Sequence, residues 1–294
     1  MKYISLTKTQ FPQKLKELKD LPNMIYAVGN IDLLYQDGFA IVGTRNPTEY
    51  GEKVSKEFSK EFALREIPII SGMAKGIDEF AHQSVLEYEG KTIGVLGCGL
   101  DYYLKYGENK KLFTKIIERE GLILSEYDLE NESSKENFPK RNRIIAALSE
   151  GVLVVEAAFR SGSSITAKYA NEYEKMVFCI PGRIDSKKSV GTNILIKKGA
   201  ILTTNIEDIL HCYPQFENKK RKTLREISKK EILIDMKKEW KEIYDILKNN
   251  NYSLEELQMK TRKDIKFLIK IISEMEIDGI IEQEIGCGYR LKSR

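Results

Sequence analysis

One short stretch of the sequence, residues 137–143, combines the residue types that hold a charged, flat ligand. It reads Asn-Phe-Pro-Lys-Arg-Asn-Arg, and the apolar run 144–148 follows it directly. That run predicts the buried face of a helix, so the cations should gather at the helix's first turn, where backbone N–H groups lack partners and the dipole is positive. Phe138 adds a flat apolar surface beside them. The stretch therefore indicates a site for phosphates that carry bases.

Phosphates and stacking bases together are what a single nucleic-acid strand offers. A base that stacks on an aromatic side chain gains roughly 1–3 kcal/mol with little sequence preference. Four cations are placed to neutralise the phosphates: Lys135, Lys140, Arg141 and Arg143. Two other interpretations stay open. Phe138 can be a hydrophobic staple at the helix start, and Arg141 or Arg143 can brace the loop through Glu156 instead of facing a strand.

The elements that must position these residues follow from an alternation of short apolar runs and amphipathic helices. Six runs are strand candidates: Phe39–Val42, Ile67–Ile70, Thr92–Leu96, Leu122–Leu124, Val152–Val155 and Met176–Ile180. Nearly continuous apolar strands separated by helices favour a parallel sheet that is covered on both faces. We therefore predict a doubly wound α/β domain, in which ligands lie at the carboxyl ends of the strands.

Glycine, serine and threonine recur where these strands end, which lets an anion approach the backbone closely. Arg45 follows the first strand, and its guanidinium matches paired phosphate oxygens. We expect backbone amides of Gly72–Gly76 and Ser161–Ser163 to supply further anion contacts, although the first loop can also be a plain helix entry with Asp78 in its first turn. The candidate strand-binding residues are Arg45, Gly72, Lys75, Gly76, Lys135, Phe138, Lys140, Arg141, Asn142, Arg143, Ser161, Gly162 and Ser163.

The sequence gives little support to catalysis, a bound metal or a cofactor. Histidine occurs only at positions 82 and 211, and the four cysteines are far apart, without the paired short spacing of a zinc site. Gly97-Cys98-Gly99 has Tyr102 where a dinucleotide fingerprint needs its third glycine. Glu156 ends a strand beside a serine loop but has no convincing second carboxylate, so we interpret it as a structural acid. We predict no catalytic residue, no metal and no cofactor.

Composition and charge patterning divide the 294-residue chain into four segments. Its formal net charge is only +4, so nucleic-acid binding must come from local patches. We predict a short lead-in at 1–37 that packs on the main domain, the sheet domain at 38–213, a basic linker at 214–235, and a winged-helix domain of three helices and a hairpin at 236–294. The start lacks the features of a signal peptide and no apolar run reaches the length of a membrane span. We therefore expect a cytoplasmic protein with no membrane contact.

Taken in order, these loops resemble the DprA (Smf) family of bacterial DNA-processing proteins, from about Phe11 to Leu210. The motifs that carry the resemblance are Gly43-Thr44-Arg45, Tyr50-Gly51, Ser71–Asp78, Ala81-His82, Leu96–Asp101, Ser125-Glu126-Tyr127, Asn137–Ile145, Val154–Ala157, Ser161-Gly162-Ser163, Thr166-Ala167, Pro181-Gly182 and Gly191-Thr192-Asn193. Two departures stand out. The segment Leu104–Asn109 lacks the proline of the family's Tyr-Pro-x-x-Asn, and only a short lead-in precedes the sheet where many members have a helical domain.

The resemblance implies an extended Rossmann-like domain that binds single-stranded DNA as a homodimer. It implies that the protein protects incoming DNA and hands it to the RecA recombinase in natural transformation, without established catalytic turnover. It further implies that the strand pocket uses Arg45, Lys135 and Phe138. The winged helix is similar to the family's variable C-terminal module, whose role the resemblance leaves open.

Two other function classes stay open at this point. One is a nucleotide-cleaving enzyme on a related Rossmann-like fold, but Pro181-Gly182 is followed by Arg183, where such enzymes carry a glycine-rich run. The other is a transcription regulator in which an α/β domain senses a ligand and the winged helix reads duplex DNA. Its predicted third helix has a modest basic face, formed by Arg262, Lys263, Lys266 and Lys270.

Overall fold

The apolar runs of the sequence form strands of one large sheet in the computed structural model, which describes residues 2–223, 238–248, 250–277, 280–284 and 288–292. The chain divides into two units, Met1–Arg221 and Lys222–Arg294. Each unit has a hydrophobic core of its own. None of the described helices has the length and apolar content that crossing a membrane requires.

Within residues 2–223, nine strands form the sheet of the first unit in the order β1-β2-β6-β5-β4-β3-β7-β8-β9. Their bounds are Ile4–Thr7 (β1), Met24–Gly29 (β2), Gly38–Val42 (β3), Ile69–Ser71 (β4), Thr92–Leu96 (β5), Leu122–Ser125 (β6), Ser149–Val154 (β7), Val177–Cys179 (β8) and Ile201–Leu202 (β9). The strands from β3 to β9 pair in parallel, whereas β2 is antiparallel to both β1 and β6. The predicted doubly wound, mostly parallel α/β sheet is confirmed.

Ten α-helices of this unit lie within the described residues. They are Gln13–Lys16 (α1), Glu49–Leu64 (α2), Ile77–Glu87 (α3), Leu100–Tyr106 (α4), Lys110–Glu118 (α5), Asn137–Leu148 (α6), Gly162–Glu172 (α7), Val190–Lys197 (α8), Glu207–Leu210 (α9) and Pro214–Glu217 (α10). Two 3-10 helices, Lys8–Gln10 and Ile31–Tyr35, complete the lead-in. The helices cover both faces of the sheet because alternate residues of each strand point to opposite sides. In β3, Ala40 and Val42 pack in the core that contains α6, whereas Phe39 and Ile41 pack in the core that contains α2 and α3.

The sheet has a topological switch point between β3 and β7. From β3 the chain proceeds through β4, β5 and β6 in one direction, and from β7 through β8 and β9 in the other. The crevice outside the carboxyl ends of the two central strands is where open α/β sheets bind ligands. The loop that carries Arg45 follows β3, and the Ser161 loop follows β7. The fold therefore brings both loops to the same crevice.

The lead-in contributes two strands to the sheet. They are β2 and β1, which pair with each other in antiparallel register. The sequence did not predict β1, in which only Leu6 is buried, or β9, which has two residues. Phe11, Leu15 and Leu18 are all buried in the same core as α6.

The start of the predicted linker is ordered into the first unit. Phe216 of α10 is buried against Phe39, with a ring-centroid distance of 6.4 Å. Arg221 donates two hydrogen bonds to Glu61 of α2, at 2.8 and 3.0 Å. Residues 224–235 of the predicted linker, and Met236 at the predicted start of the next domain, lie outside the described residues.

The second unit contains three helices and a two-stranded sheet among its described residues. Their bounds are Lys238–Leu247 (α11), Leu254–Thr261 (α12), Ile265–Ile277 (α13), Ile281–Glu284 (β10) and Gly288–Leu291 (β11). Ser253 and Glu256 form a capping box at the start of α12. Trp240, Leu257 and Ile272 belong to the core. The winged-helix interpretation of this unit stays a prediction.

Candidate functional site

The stretch 137–143 forms the first two turns of α6, because the helix begins at Asn137. The prediction that all its cations gather at the first turn is wrong, since Arg141 and Arg143 lie in the second. The Asn137 N–H donates to Ser134 Oγ at 3.2 Å, and Pro139 has no N–H. The start of this helix therefore offers fewer backbone donors to an anion than the sequence suggested, and attraction depends on side chains.

Phe138 and Arg45 form the contact at the centre of the crevice. The Arg45 guanidinium carbon lies 5.1 Å from the centroid of the Phe138 ring, within cation–π distance. Phe138 is the second residue of α6, whereas a hydrophobic staple precedes the N-cap, so the staple interpretation does not apply. Arg45 is exposed and Phe138 is half-buried. A cation and an aromatic ring are thus paired at a surface that a ligand can reach.

Two cavities border this pair. The main cavity, of about 510 Å³, also contacts Lys135, Asn142 and the Ser161–Ser163 loop. The tyrosine cavity, of 230 Å³, also contacts Gly72, Lys75 and the tyrosines at 102, 103 and 106. Arg45, Phe138 and Arg141 line both cavities. Ten predicted site residues therefore converge on this crevice, and the remaining three, Gly76, Lys140 and Arg143, line neither cavity.

Arg141 is buried below the two cavities, and its guanidinium forms hydrogen bonds with other groups of the protein. It is 4% exposed, and its guanidinium donates to the carbonyl oxygens of Gly72, at 2.6 Å, and of Val95. A Cβ on Gly72 would lie 2.6 Å from an Arg141 nitrogen, so this glycine makes room for the arginine. Arg141 adds positive charge to the floor of the crevice, but its hydrogen bonds hold the Gly72 loop.

Arg143 is also 4% exposed and forms a two-pronged ion pair with Glu126, with both N–O distances at 2.8 Å. The predicted phosphate contact of Arg143 therefore conflicts with its geometry. The brace that the sequence suggested does exist, but it runs to Glu126 rather than to Glu156. Lys140 is exposed, with its Nζ 3.6 Å from a carboxylate oxygen of Asp20. Spacing along the chain did not reveal which cations point inward.

Three backbone amides of the Gly72–Gly76 loop, those of Gly72, Ala74 and Gly76, already have acceptors. The Asp78 carboxylate accepts from the backbone of Gly72, at 3.1 Å, and from Ala74 and Gly43. The Gly76 N–H donates to Glu79 Oε2 at 3.4 Å. These three amides, which were predicted to contact an anion, therefore donate to the protein's own carboxylates. Burial raises the pKa of Asp78 to about 6.

Gly76 has a different role, in bringing two loops together. Its φ is +86°, and a Cβ there would lie 2.5 Å from the carbonyl oxygen of Thr44 and 2.6 Å from that of Arg45. Only glycine combines this backbone conformation with so close an approach. The loop after β4 therefore supports the backbone of the loop that carries Arg45.

The Ser161–Ser163 loop leads into α7 beside the main cavity. Ser161 Oγ lies 2.8 Å from Ser163 Oγ, and the Asn142 side chain donates to the Gly162 carbonyl at 3.1 Å. A Cβ on Gly162 would meet no atom within 4 Å, so this position faces open space. Asn142 therefore links the Phe138 helix to the serine loop, and hydroxyl groups line this side of the cavity.

The comparisons with known proteins agree with the fold and the motifs. Residues 2–214 match the family model described as DNA recombination-mediator protein A. The chain belongs to this family. It is 42% identical to protein Smf of Escherichia coli over 200 residues, which cover 68% of this chain and 53% of that protein. It is 43% identical to DNA processing protein DprA of Streptococcus pneumoniae over 200 residues, which cover 68% of this chain and 70% of that one. The resemblance to the DprA (Smf) family is confirmed.

Two solved structures of DNA processing protein A are similar to the chain. The Streptococcus pneumoniae structure has a TM-score of 0.67 at 39% identity and covers 71% of this chain and 74% of that one. The Helicobacter pylori structure concerns that protein's mode of binding single-stranded DNA. It has a TM-score of 0.65 at 35% identity, and the match covers 72% of this chain and 96% of that one. The chain spans about half the length of the Smf proteins that it matches. The family match ends at residue 214, before the second unit begins.

The site of this family member also contains residues that sequence reasoning missed. Tyr102, Tyr103 and Tyr106 were not among the predicted site residues, but all three line the tyrosine cavity. The Tyr103 hydroxyl donates to the Met73 carbonyl at 3.2 Å, which joins α4 to the Gly72 loop. The signal was present in the sequence, because these tyrosines lie in the first helix after the parallel strand β5.

Proposed function

We propose that this member of the DNA recombination-mediator protein A family binds single-stranded DNA at the crevice between β3 and β7. Arg45 and Lys135 contact backbone phosphates, and Phe138 provides a surface on which a base stacks. The observation that carries the proposal is the convergence of exposed Arg45, exposed Lys135 and half-buried Phe138 on the main cavity. Charge and an aromatic face together suit a strand whose bases are unpaired.

Other predicted residues take revised roles in this proposal. Asn142, Ser161 and Ser163 supply neutral hydrogen bonds at the main cavity, and Gly162 leaves space for the strand. Lys75 adds a cation at the tyrosine cavity, whose aromatic lining suits a further base. Arg141 supplies charge from below, whereas Gly72, Gly76 and Arg143 maintain the loops and the helix. Lys140 contributes only through its charge near the crevice.

The proposed biological role is the one that the family resemblance implies. The protein binds and protects incoming single strands, loads the RecA recombinase on them during natural transformation and recombination, and works as a homodimer in the cytoplasm. The Helicobacter pylori relative, whose structure concerns binding of single-stranded DNA, supports the first of these steps. The proposal includes no catalytic turnover, and it leaves the partner of the second unit unassigned.

The test is a titration of fluorescein-labelled oligothymidylate, followed by anisotropy at several salt concentrations. Arg45→Ala should weaken binding by about 10- to 100-fold, since a hydrogen bond to a charged group contributes about 1.5–3 kcal/mol. Arg45→Ala and Lys135→Ala should each make the salt slope shallower by about 0.7. Phe138→Ala should weaken binding by about 1–3 kcal/mol and leave that slope unchanged.

Lys168→Ala is the matched control, because Lys168 is an exposed lysine of α7 that lines neither cavity. It should leave affinity nearly unchanged. Wild-type affinity in Arg45→Ala, Lys135→Ala and Phe138→Ala alike would show that the pocket is misplaced. Tighter binding of duplex than of single-stranded DNA would favour the regulator class, and release of a base from nucleoside monophosphates would favour the enzyme class.

A further inference from the structure

Glu156 is a buried acid beside the crevice that the proposed strand contacts do not use. It is 3% exposed and lies just after β7. Its carboxylate accepts hydrogen bonds from the Thr48 N–H at 2.8 Å and the Thr48 hydroxyl at 2.5 Å. Both donors belong to Thr48, so the buried side chain of Glu156 is tied to one residue of the loop that carries Arg45.

The same residue also holds the other end of the Arg45 loop. The backbone carbonyl of Glu156 accepts from the Thr44 N–H at 2.8 Å. Residues 44 and 48 are thus both fastened to Glu156, and Arg45 lies between them. The short segment from Thr44 to Thr48 cannot shift at either end without breaking a bond to this one residue.

Two neighbouring groups are adapted to this arrangement. The Thr48 hydroxyl also accepts from the Gly51 N–H at 3.1 Å, which caps the start of α2. A Cβ on Gly51 would lie 2.4 Å from Glu156 Oε2, so glycine leaves the space that the carboxylate occupies. The loop, the helix start and the acid therefore form one connected unit.

We propose that Glu156 is a positioning residue for strand binding, which acts through Arg45. By fixing the 44–48 loop, it holds the Arg45 guanidinium over Phe138 at the mouth of the main cavity before DNA arrives. Fixing a contact residue in advance improves affinity because less freedom is lost on binding. This inference rests on the proposed function, since it assigns Glu156 a part in the same site.

The test is a double-mutant cycle on Arg45 and Glu156 with labelled oligothymidylate. Glu156→Gln removes the charge and one of the two acceptor oxygens at nearly constant volume. It should weaken binding by about fivefold, the equivalent of one ordinary hydrogen bond. In the Arg45→Ala background the same change should have little further effect, because the group that Glu156 positions is gone. A merely structural role would give equal losses in both backgrounds, and that result would overturn the inference.

Two further variants keep the test decisive. Thr48→Val removes the hydroxyl bond from the other side, and it should show the same dependence on Arg45 if Glu156→Gln does not fold. Glu61→Gln is the control, since Glu61 is a little-exposed acid of the same unit that pairs with Arg65 and Arg221 away from both cavities. It should leave DNA affinity unchanged. If Arg45→Ala, Lys135→Ala and Phe138→Ala all bind like the wild type, the proposed function fails. If Arg45→Ala weakens binding while Glu156→Gln and Thr48→Val do not, only the role of Glu156 fails.

Discussion

Two sets of cations around the crevice have opposite environments. Arg45 and Lys135 are exposed and line the main cavity, where solvent and ligands can reach them. Arg141 and Arg143 are buried. The Arg141 guanidinium donates hydrogen bonds to carbonyl oxygens, and the Arg143 guanidinium pairs with the Glu126 carboxylate. All four were predicted to contact phosphates. The exposed pair can exchange water for phosphate, whereas the buried pair would first have to abandon bonds that hold the fold together.

The burial of Arg141 follows from its position on one face of α6 rather than from its residue type. Side chains three, four and seven positions apart share one face of a helix. Arg141 stands three, four and seven positions before Ile144, Ile145 and Leu148, which are all buried. It therefore lies on the apolar stripe of α6, and its polar end must find partners inside the protein. A cation inside a binding motif can thus be part of the site's support.

The largest effect should come from the buried set. Arg143→Met leaves the Glu126 carboxylate buried without its partner, which should lower the free energy of unfolding of the first unit by about 3–5 kcal/mol. Urea unfolding can be followed by tyrosine fluorescence, because the single tryptophan, Trp240, belongs to the second unit. A decrease in the free energy of unfolding below about 1 kcal/mol would mean that the Arg143 ion pair contributes no more than an exposed one.

A double variant distinguishes two causes of lost stability, an unpaired buried charge and lost packing. Replacing both residues, with Arg143→Met and Glu126→Leu, removes the unpaired charge and should recover much of the stability. The DNA affinity of this double variant should stay close to that of the wild type under conditions in which the variant is folded. Substantially weaker binding by a stable double variant would mean that Arg143 contacts the strand after all.

A smaller effect should distinguish the exposed lysines from each other. Lys135 lines the main cavity, whereas Lys140 lies outside both cavities near Asp20. Lys140→Ala should therefore weaken oligothymidylate binding by only about twofold and change the salt slope by less than the 0.7 expected for a direct phosphate contact. Anisotropy titrations of Lys135→Ala and Lys140→Ala, side by side, measure this. Equal losses would mean that the strand extends beyond the main cavity to Lys140.

Much of this arrangement could be predicted from the sequence, for identifiable reasons. The central strands are continuous apolar runs, and parallel strands must bring their carboxyl ends to one edge, so Arg45 and the serine loop had to meet. β1 and β9 were missed because one has a single buried residue and the other only two residues in all. The directions of Arg141 and Arg143 were missed because all the cations were assigned to the first turn of α6, whereas these two lie in its second turn.

The Gly72 loop shows a different kind of limit. Its glycines and helix entry predicted free amides for an anion, but Asp78, six residues further on, folds back and accepts from the Gly72 amide. The sequence permitted both outcomes, since a carboxylate in a first helical turn is favoured with or without this contact. Only the tertiary structure shows that the protein supplies its own anion.

Asp78, a buried acid beside Arg141, offers a more specific test of how buried charge affects binding. Its carboxylate lines the main cavity near Arg141, and burial raises its pKa to about 6. Because this pKa is raised in the folded state, protonation favours the fold, and the contribution of Asp78 to stability falls as pH rises from about 4 through 6. Protonation also removes a negative charge from the crevice. Wild-type affinity for oligothymidylate should therefore rise a few-fold between pH 7.5 and 5.5.

Asp78→Asn should flatten this pH dependence, because asparagine keeps an acceptor oxygen for the loop amides but does not titrate. His82 does not confuse the measurement, since burial lowers its pKa to about 3 and keeps it neutral throughout this range. Anisotropy titrations of both proteins at constant ionic strength give the comparison. If the two pH profiles coincide, the charge of Asp78 does not reach the strand, and the buried set affects binding only by supporting the exposed one.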